Sequence, residues 1–120
     1  MRFAGEEIML SGDPSAAPQA PALLVTAVSI APEHERYFND WYKTEHFPTL
    51  AAIPGRLCGR LYRDGSGAAP RYVALQYLAS PELPDSAAWK QAGNTPWSER
   101  LRTQFRDRMR FVCRRYCRAA

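Results

Sequence analysis

Lysine and histidine are scarce in this chain, with two of each among 120 residues. The two histidines are His34 and His46. Haem is not expected: one axial histidine could suffice, but no second basic or histidine-rich segment is placed to hold propionates. The net charge of +4 rests almost wholly on arginine. With so little lysine, no stacking motif for RNA and no DNA-binding pattern, nucleic acid is not the expected partner. Cysteines number three, Cys58, Cys113 and Cys117, an odd count that implies no disulfide framework. On a strand, Cys113 and Cys117 would share a face yet lie about 13 Å apart, so no metal is expected there. No apolar run approaches the roughly 18 residues that cross a bilayer. Residues 1–10 contain Glu6 and Glu7 and no apolar stretch typical of a secretory signal, so the expected compartment is the reducing cytoplasm. A glycine-rich nucleotide fingerprint is missing: Gly65-Ser66-Gly67 falls in a hairpin, the wrong context for cradling phosphate. No cofactor is expected.

The chain length fits a single domain. Residues 1–21 read as a poorly ordered arm, since Ser11 to Pro21 is rich in turn formers and lacks periodicity. The domain proper should span residues 22–120. Ala22 to Ile30 is a short, β-branched apolar run, the pattern of a buried strand. Pro32 opens a helix whose positive end suits Glu33 and Glu35. Tyr37, Phe38, Trp41 and Tyr42 form its aromatic stripe, and Pro48 should break or kink it near His46–Phe47. Arg56 to Arg63 and Arg71 to Leu78 read as a hairpin around Asp64-Gly65-Ser66-Gly67. One or two helical turns follow between Asp85 and Ala92. Thr95-Pro96 is a good helix start, and Trp97, Leu101, Phe105 and Met109 recur every four residues along that helix. Phe111 to Tyr116 reads as the last strand.

The order β-α-β-β-α-β predicts a ferredoxin-like α+β fold: a four-stranded antiparallel sheet with both helices on one face. A sheet with one solvated face should alternate cleanly between apolar and polar residues. These strands do not: Leu57 and Leu61 oppose Cys58 and Tyr62, and Tyr72 and Ala74 oppose Val73, Leu75 and Tyr77. The second face therefore calls for a cover, and the simplest is the same face of a second copy.

The run Asp40-Trp41-Tyr42-Lys43-Thr44-Glu45-His46-Phe47-Pro48, with Leu50 and then Ile53-Pro54-Gly55, leads into a strand ending in Tyr62-Arg63. It resembles the dimeric α+β barrel superfamily and, within it, EthD-like proteins. Asn94-Thr95-Pro96-Trp97 before an arginine-rich helix is similar to bacterial members of the same group. The resemblance spans about residues 22–118. It implies a homodimer whose two sheets close a barrel, and a cavity in each protomer between sheet and helices. Members include cofactor-free monooxygenases, polyketide cyclases, muconolactone isomerases, decarboxylases, dehydratases and haem enzymes, so the resemblance implies a fold more than a reaction.

His46 carries the strongest chemical signal. It falls one helical turn after Tyr42, and an imidazole suits acid–base work on a keto compound. Cyclase members of the superfamily resemble this His–Tyr pairing. His46 and Tyr42 are therefore the expected catalytic pair, with Asp40 or Glu45 able to orient the ring. The bland alternative is a helix-terminal histidine favoured by the helix dipole alone. Phe38 and Trp97 are expected to line a ligand pocket or the core. Arg60, Tyr62 and Gln76 are polar groups on strands that should be covered, and buried polar groups need partners. Arg60 with Gln76 is thus a candidate polar end of a pocket. The expected ligand is a small apolar or aromatic, polyketide-like metabolite. A non-catalytic binding or structural homodimer is the alternative.

Overall fold

Residues 5–114 are described by the computed structural model. They form five strands: β1 (Glu6–Gly12), β2 (Ala22–Ser29), β3 (Arg56–Asp64), β4 (Arg71–Leu78) and β5 (Arg106–Arg114). The α-helices are α1 (Glu35–Trp41), α2 (Phe47–Ala51), α3 (Ala87–Gly93) and α4 (Pro96–Arg102). One antiparallel sheet takes the order β1-β3-β4-β2-β5. The strands β2 to β5 keep the expected β-α-β-β-α-β connection.

Side chains one apart on a strand point to opposite faces. The core takes a single parity from each. Val28, Tyr72, Ala74 and Leu61 pack with Phe38, Trp41 and Leu101, while Leu24 and Leu78 pack with Leu50 and Trp89. The helices therefore lie on one face of the sheet. At the start of α1, Glu35 accepts from Arg63 Nε at 2.6 Å and from the Tyr72 hydroxyl at 2.7 Å. The hydrogen bond from Arg63 holds the Glu35 carboxyl below its ordinary range. That cluster fixes α1 against β3 and β4.

The sheet has five strands, not the four expected. The added strand, β1, lies within residues read above as a poorly ordered arm. Its exposed residues and acidic start hide it from a periodicity argument, because an edge strand shows little alternation of burial. It is held from the partner side: Glu7 pairs with Arg60 at 2.6 Å, Arg56 Nη1 donates to Ser11 Oγ at 2.9 Å, and Met9 packs on the core. Gly12 ends it at φ 84, where a Cβ would sit 2.7 Å from the Leu57 carbonyl oxygen. Asp13 then caps a short 3-10 turn, Pro14–Gln19, by accepting from Ser15 N.

Two further boundaries differ from expectation. The Trp97-Leu101-Phe105-Met109 stripe does not run along one helix. α4 ends at Arg102, Phe105 packs on the core from the following turn, and Met109 already lies in β5. The four-residue period matched by coincidence across a helix, a turn and a strand. β5 thus starts at Arg106 rather than Phe111; residues 115 and 116 of the expected strand lie outside the described residues. Pro48 does not end the first helix. A π-helical turn, Tyr42–His46, intervenes, and Pro48 sits in the first turn of α2, where its missing N–H is harmless.

Candidate functional site

A cavity of about 500 Å³ opens between the sheet and the helices. Its floor is the helix-side face of β2 and β4, with Leu24, Thr26, Val28, Tyr72, Ala74 and Gln76. Its aromatic end is set by α1 and the π turn, with Phe38, Trp41, Tyr42 and His46. Trp89 and Ser98 come from α3 and α4.

The π turn decides the geometry at that end. Its i to i+5 hydrogen bond, from Phe47 N to the Tyr42 carbonyl, widens the helix by one residue, a feature often found at functional sites. Trp41, Tyr42 and His46 then meet as a cluster. The His46 ring stacks on Trp41 at 4.1 Å between centroids and meets Tyr42 edge-on at 5.0 Å. Trp41 is itself fixed, because its indole N–H donates to Glu45 Oε2 at 2.8 Å. The same carboxylate oxygen accepts from the Thr95 hydroxyl at 2.8 Å, tying the π turn to the start of α4. Glu45 therefore steadies Trp41, not the histidine ring, and Asp40 is exposed.

His46 Nδ1 is buried with no hydrogen-bond partner among the described residues. Burial pushes the His46 pKa down to about 3, with the charge of nearby Arg56 adding to the effect. The imidazole is uncharged at neutral pH. Tyr42 is 5% exposed, and burial raises its hydroxyl to about 12, so the phenol keeps its proton. The cavity's aromatic end thus presents two neutral polar groups in apolar walls. A neutral imidazole and a neutral phenol can donate to or accept from a carbonyl or hydroxyl, and can bind it without a charged partner.

The other expected residues divide. Phe38 and Gln76 line the cavity with the pair. Trp97 does not; it packs at the core's edge against Tyr37, with ring centroids 5.5 Å apart. Arg60 and Tyr62 share the opposite sheet parity, and Arg60 is neutralised by Glu7. The suggested Arg60–Gln76 pocket end is therefore split across the sheet. Gln76 Oε1 accepts instead from Arg56 Nε at 3.0 Å.

Arg56 is the residue the sequence reading passed over. It is 6% exposed, lies over the Phe47 ring at 5.1 Å, and leaves Nη2 without a partner. Gly59 makes room for it, since a Cβ there would collide with the guanidinium. Nothing in the sequence separates it from thirteen other arginines; the bulge that turns it inward, between Arg56 and Cys58, is a property of the paired strands.

No family model matches the chain, and no curated protein matches it. Solved structures do match in fold. PA3566 from Pseudomonas aeruginosa aligns over 82% of this chain and 96% of its own, at 20% identity and a TM-score of 0.54. A major regulator of staphylococcal pathogenesis aligns over 90% of this chain and 65% of its own, at 11% identity and a TM-score of 0.56. An EthD-family protein from Bacillus halodurans aligns over 79% of this chain and 99% of its own, at 16% identity and a TM-score of 0.47. At these identities the likeness concerns the fold alone.

Proposed function

We propose that the chain is an EthD-like, small-molecule-binding homodimer of the dimeric α+β barrel kind. Its cavity takes an aromatic or polyketide-like compound, with His46 and Tyr42 receiving a carbonyl or hydroxyl of that compound. The observation that carries this reading is the uncharged His46 ring, its Nδ1 buried and unpartnered, packed on Tyr42 in the lining of a cavity about 500 Å³ in volume. A buried polar atom with no partner costs stability unless something binds it, and a ligand is the natural supply. The motif from Asp40 to Gly55 and the β-α-β-β-α-β order support the family.

As an enzyme the protein would be cofactor-independent, of cyclase, dehydratase, decarboxylase or monooxygenase type. His46 then acts as acid or base only after ligand binding has changed its surroundings, because its ligand-free basicity is low. The same low basicity favours the second reading, a binding protein without turnover. His46→Ala separates the two once a ligand is known. An enzyme loses turnover by two or more orders of magnitude with folding intact. A binder loses affinity alone, and unchanged affinity and turnover would remove His46 from the site.

The homodimer uses the outer sheet face. Leu23, Val25, Val73, Leu75 and Tyr77 lie on it half-buried, with Met109 and Phe111 exposed beside them. A contiguous apolar face of this kind supports a partner copy rather than solvent. The free thiols Cys58 and Cys113 suit a reducing, cytoplasmic setting.

A further inference from the structure

The arginine-rich tail of the sequence has a use that the aromatic end of the cavity does not explain. Besides its aromatic side chains, the cavity is lined by Lys90, Arg102, Arg108 and Arg110, against a single acid, Asp85. Among the described residues, neither Lys90, Arg108 nor Arg110 has a carboxylate within ion-pair distance. Arg102 is bound to neutral acceptors, the Gly93 carbonyl and Asn94 Oδ1. Positive charge thus outnumbers negative in the cavity lining among the described residues.

The backbone aims it there. β2 and β5 pair regularly from Ala22 to Ala27, and Thr26 faces Arg110 across the ladder. Between Ala27 and Ser29 the register slips, so that Asp107 and Arg108 together oppose Val28. This is a β-bulge, with Asp107 in the left-handed region at φ 50. Arg71 holds it, donating to the Asp107 carbonyl at 2.7 Å and to Ser29 Oγ at 3.1 Å. Arg108 shares the parity of Arg110 and lies opposite Val28, so it falls on the same face as Val28, Thr26 and Arg110, all of which line the cavity; the bulge displaces only the residues before it. Arg108 acts electrostatically on the Tyr42 hydroxyl, so Arg108 and the His46–Tyr42 end are within reach of one small molecule. Charged residues on an edge strand also deter pairing with other chains. That role needs charge anywhere along the edge, and Arg106 and Arg114 already supply it; it does not require Arg108 and Arg110 to line the cavity.

We propose that the cavity's ligand is an organic anion, a carboxylate borne on a cyclic or aromatic body. Its body occupies the end lined by Phe38, Trp41 and Tyr42, and its carboxylate is held at β5 by Arg108 and Arg110. This rests on the small-molecule reading above and narrows its substrate class. Guanidinium pairs recognise carboxylates through charge-assisted, often bidentate hydrogen bonds.

A matched pair of fluorescent probes tests it: anilinonaphthalene sulfonate, which carries a fixed anion, and neutral N-phenylnaphthylamine, which shares its ring system. Three proteins are titrated: the unaltered chain, the double variant Arg108→Gln with Arg110→Gln, and Gly93→Phe. Gly93 lines the cavity, and a Cβ there meets no atom within 4 Å, so the phenyl ring narrows the opening without a backbone clash. Circular dichroism confirms that each variant is folded. The expected result has four parts. The anion binds the unaltered chain more tightly than the neutral probe. The arginine variant weakens the anion roughly tenfold and leaves the neutral probe unchanged. Added salt weakens the anion alone. Gly93→Phe weakens both. If Gly93→Phe weakens both but the arginine variant changes neither, or both equally, the anion inference fails and the cavity reading stands. If Gly93→Phe leaves both unchanged, or neither probe binds, the cavity reading fails and this inference falls with it.

Discussion

His46 enters the cavity as an uncharged ring, and that has a measurable consequence in acid. The folded chain holds the imidazole pKa near 3, whereas the unfolded chain leaves it near the ordinary 6.5. Between those values the unfolded state binds the proton and the folded state does not. Stability therefore falls as pH drops from 6.5 towards 3, and this contribution is fully intact above 6.5. His46→Phe keeps a ring on Trp41 but cannot titrate. It is expected to remove part of the acid destabilisation, on the order of 2 kcal/mol at pH 5, read from urea midpoints at pH 7 and pH 5. An unaltered pH profile would show that the ring is free to protonate in the fold. Arg56 contributes to the same effect after burial. Arg56→Met should raise the His46 pKa partway towards 6.5, followed by NMR of the ring protons; no change would separate the two residues electrostatically. Of this residue-scale detail, the sequence showed Tyr42 and His46 on one face, because four residues span one turn whether or not the turn is widened. It could not show Arg56, whose role depends on a bulge and on the space left by Gly59, and it misjudged Arg60, whose partner Glu7 lies in a strand not foreseen.

At the scale of elements, β2, β3 and β4 were legible because buried strands concentrate β-branched and aromatic residues between turn formers. β1 was not. Its stability comes from pairing with β3 and from a few side-chain anchors, none of which leaves a periodic trace. Gly12 gives a test of that pairing. Gly12→Ala places a Cβ against the Leu57 carbonyl at a left-handed φ. It should cost about 1–3 kcal/mol, measured by denaturant unfolding, with hydrogen exchange rising along Glu6–Gly12. A neutral substitution would mean that β1 contributes little to the sheet. The early end of α4 has a similar cause: Phe105 reaches the core from a turn, so its burial mimics one more helical step. β5 starts at Arg106 rather than Phe111, so the placement of Arg108 on the cavity face by strand alternation was not legible in the sequence.

The molecule as a whole carries two apolar surfaces, one folded around the cavity and one left on the outer sheet face. The failure of the strands to alternate already pointed to the second, and the structure places Phe111 there at 45% exposure. Phe111→Asp should leave the protomer folded and shift the species seen by analytical ultracentrifugation from dimer to monomer at micromolar concentration. A monomer before substitution would contradict the covered-face argument. The cavity is the more central claim, and NMR titration with a small aromatic ketone such as acetophenone tests it most directly. The account predicts resonance shifts in the Trp41 indole, the His46 ring and the Gln76 side-chain amide, and none along Val73, Leu75 and Tyr77. Shifts confined to those outer-face residues, or a His46 ring untouched at saturating ligand, would contradict it.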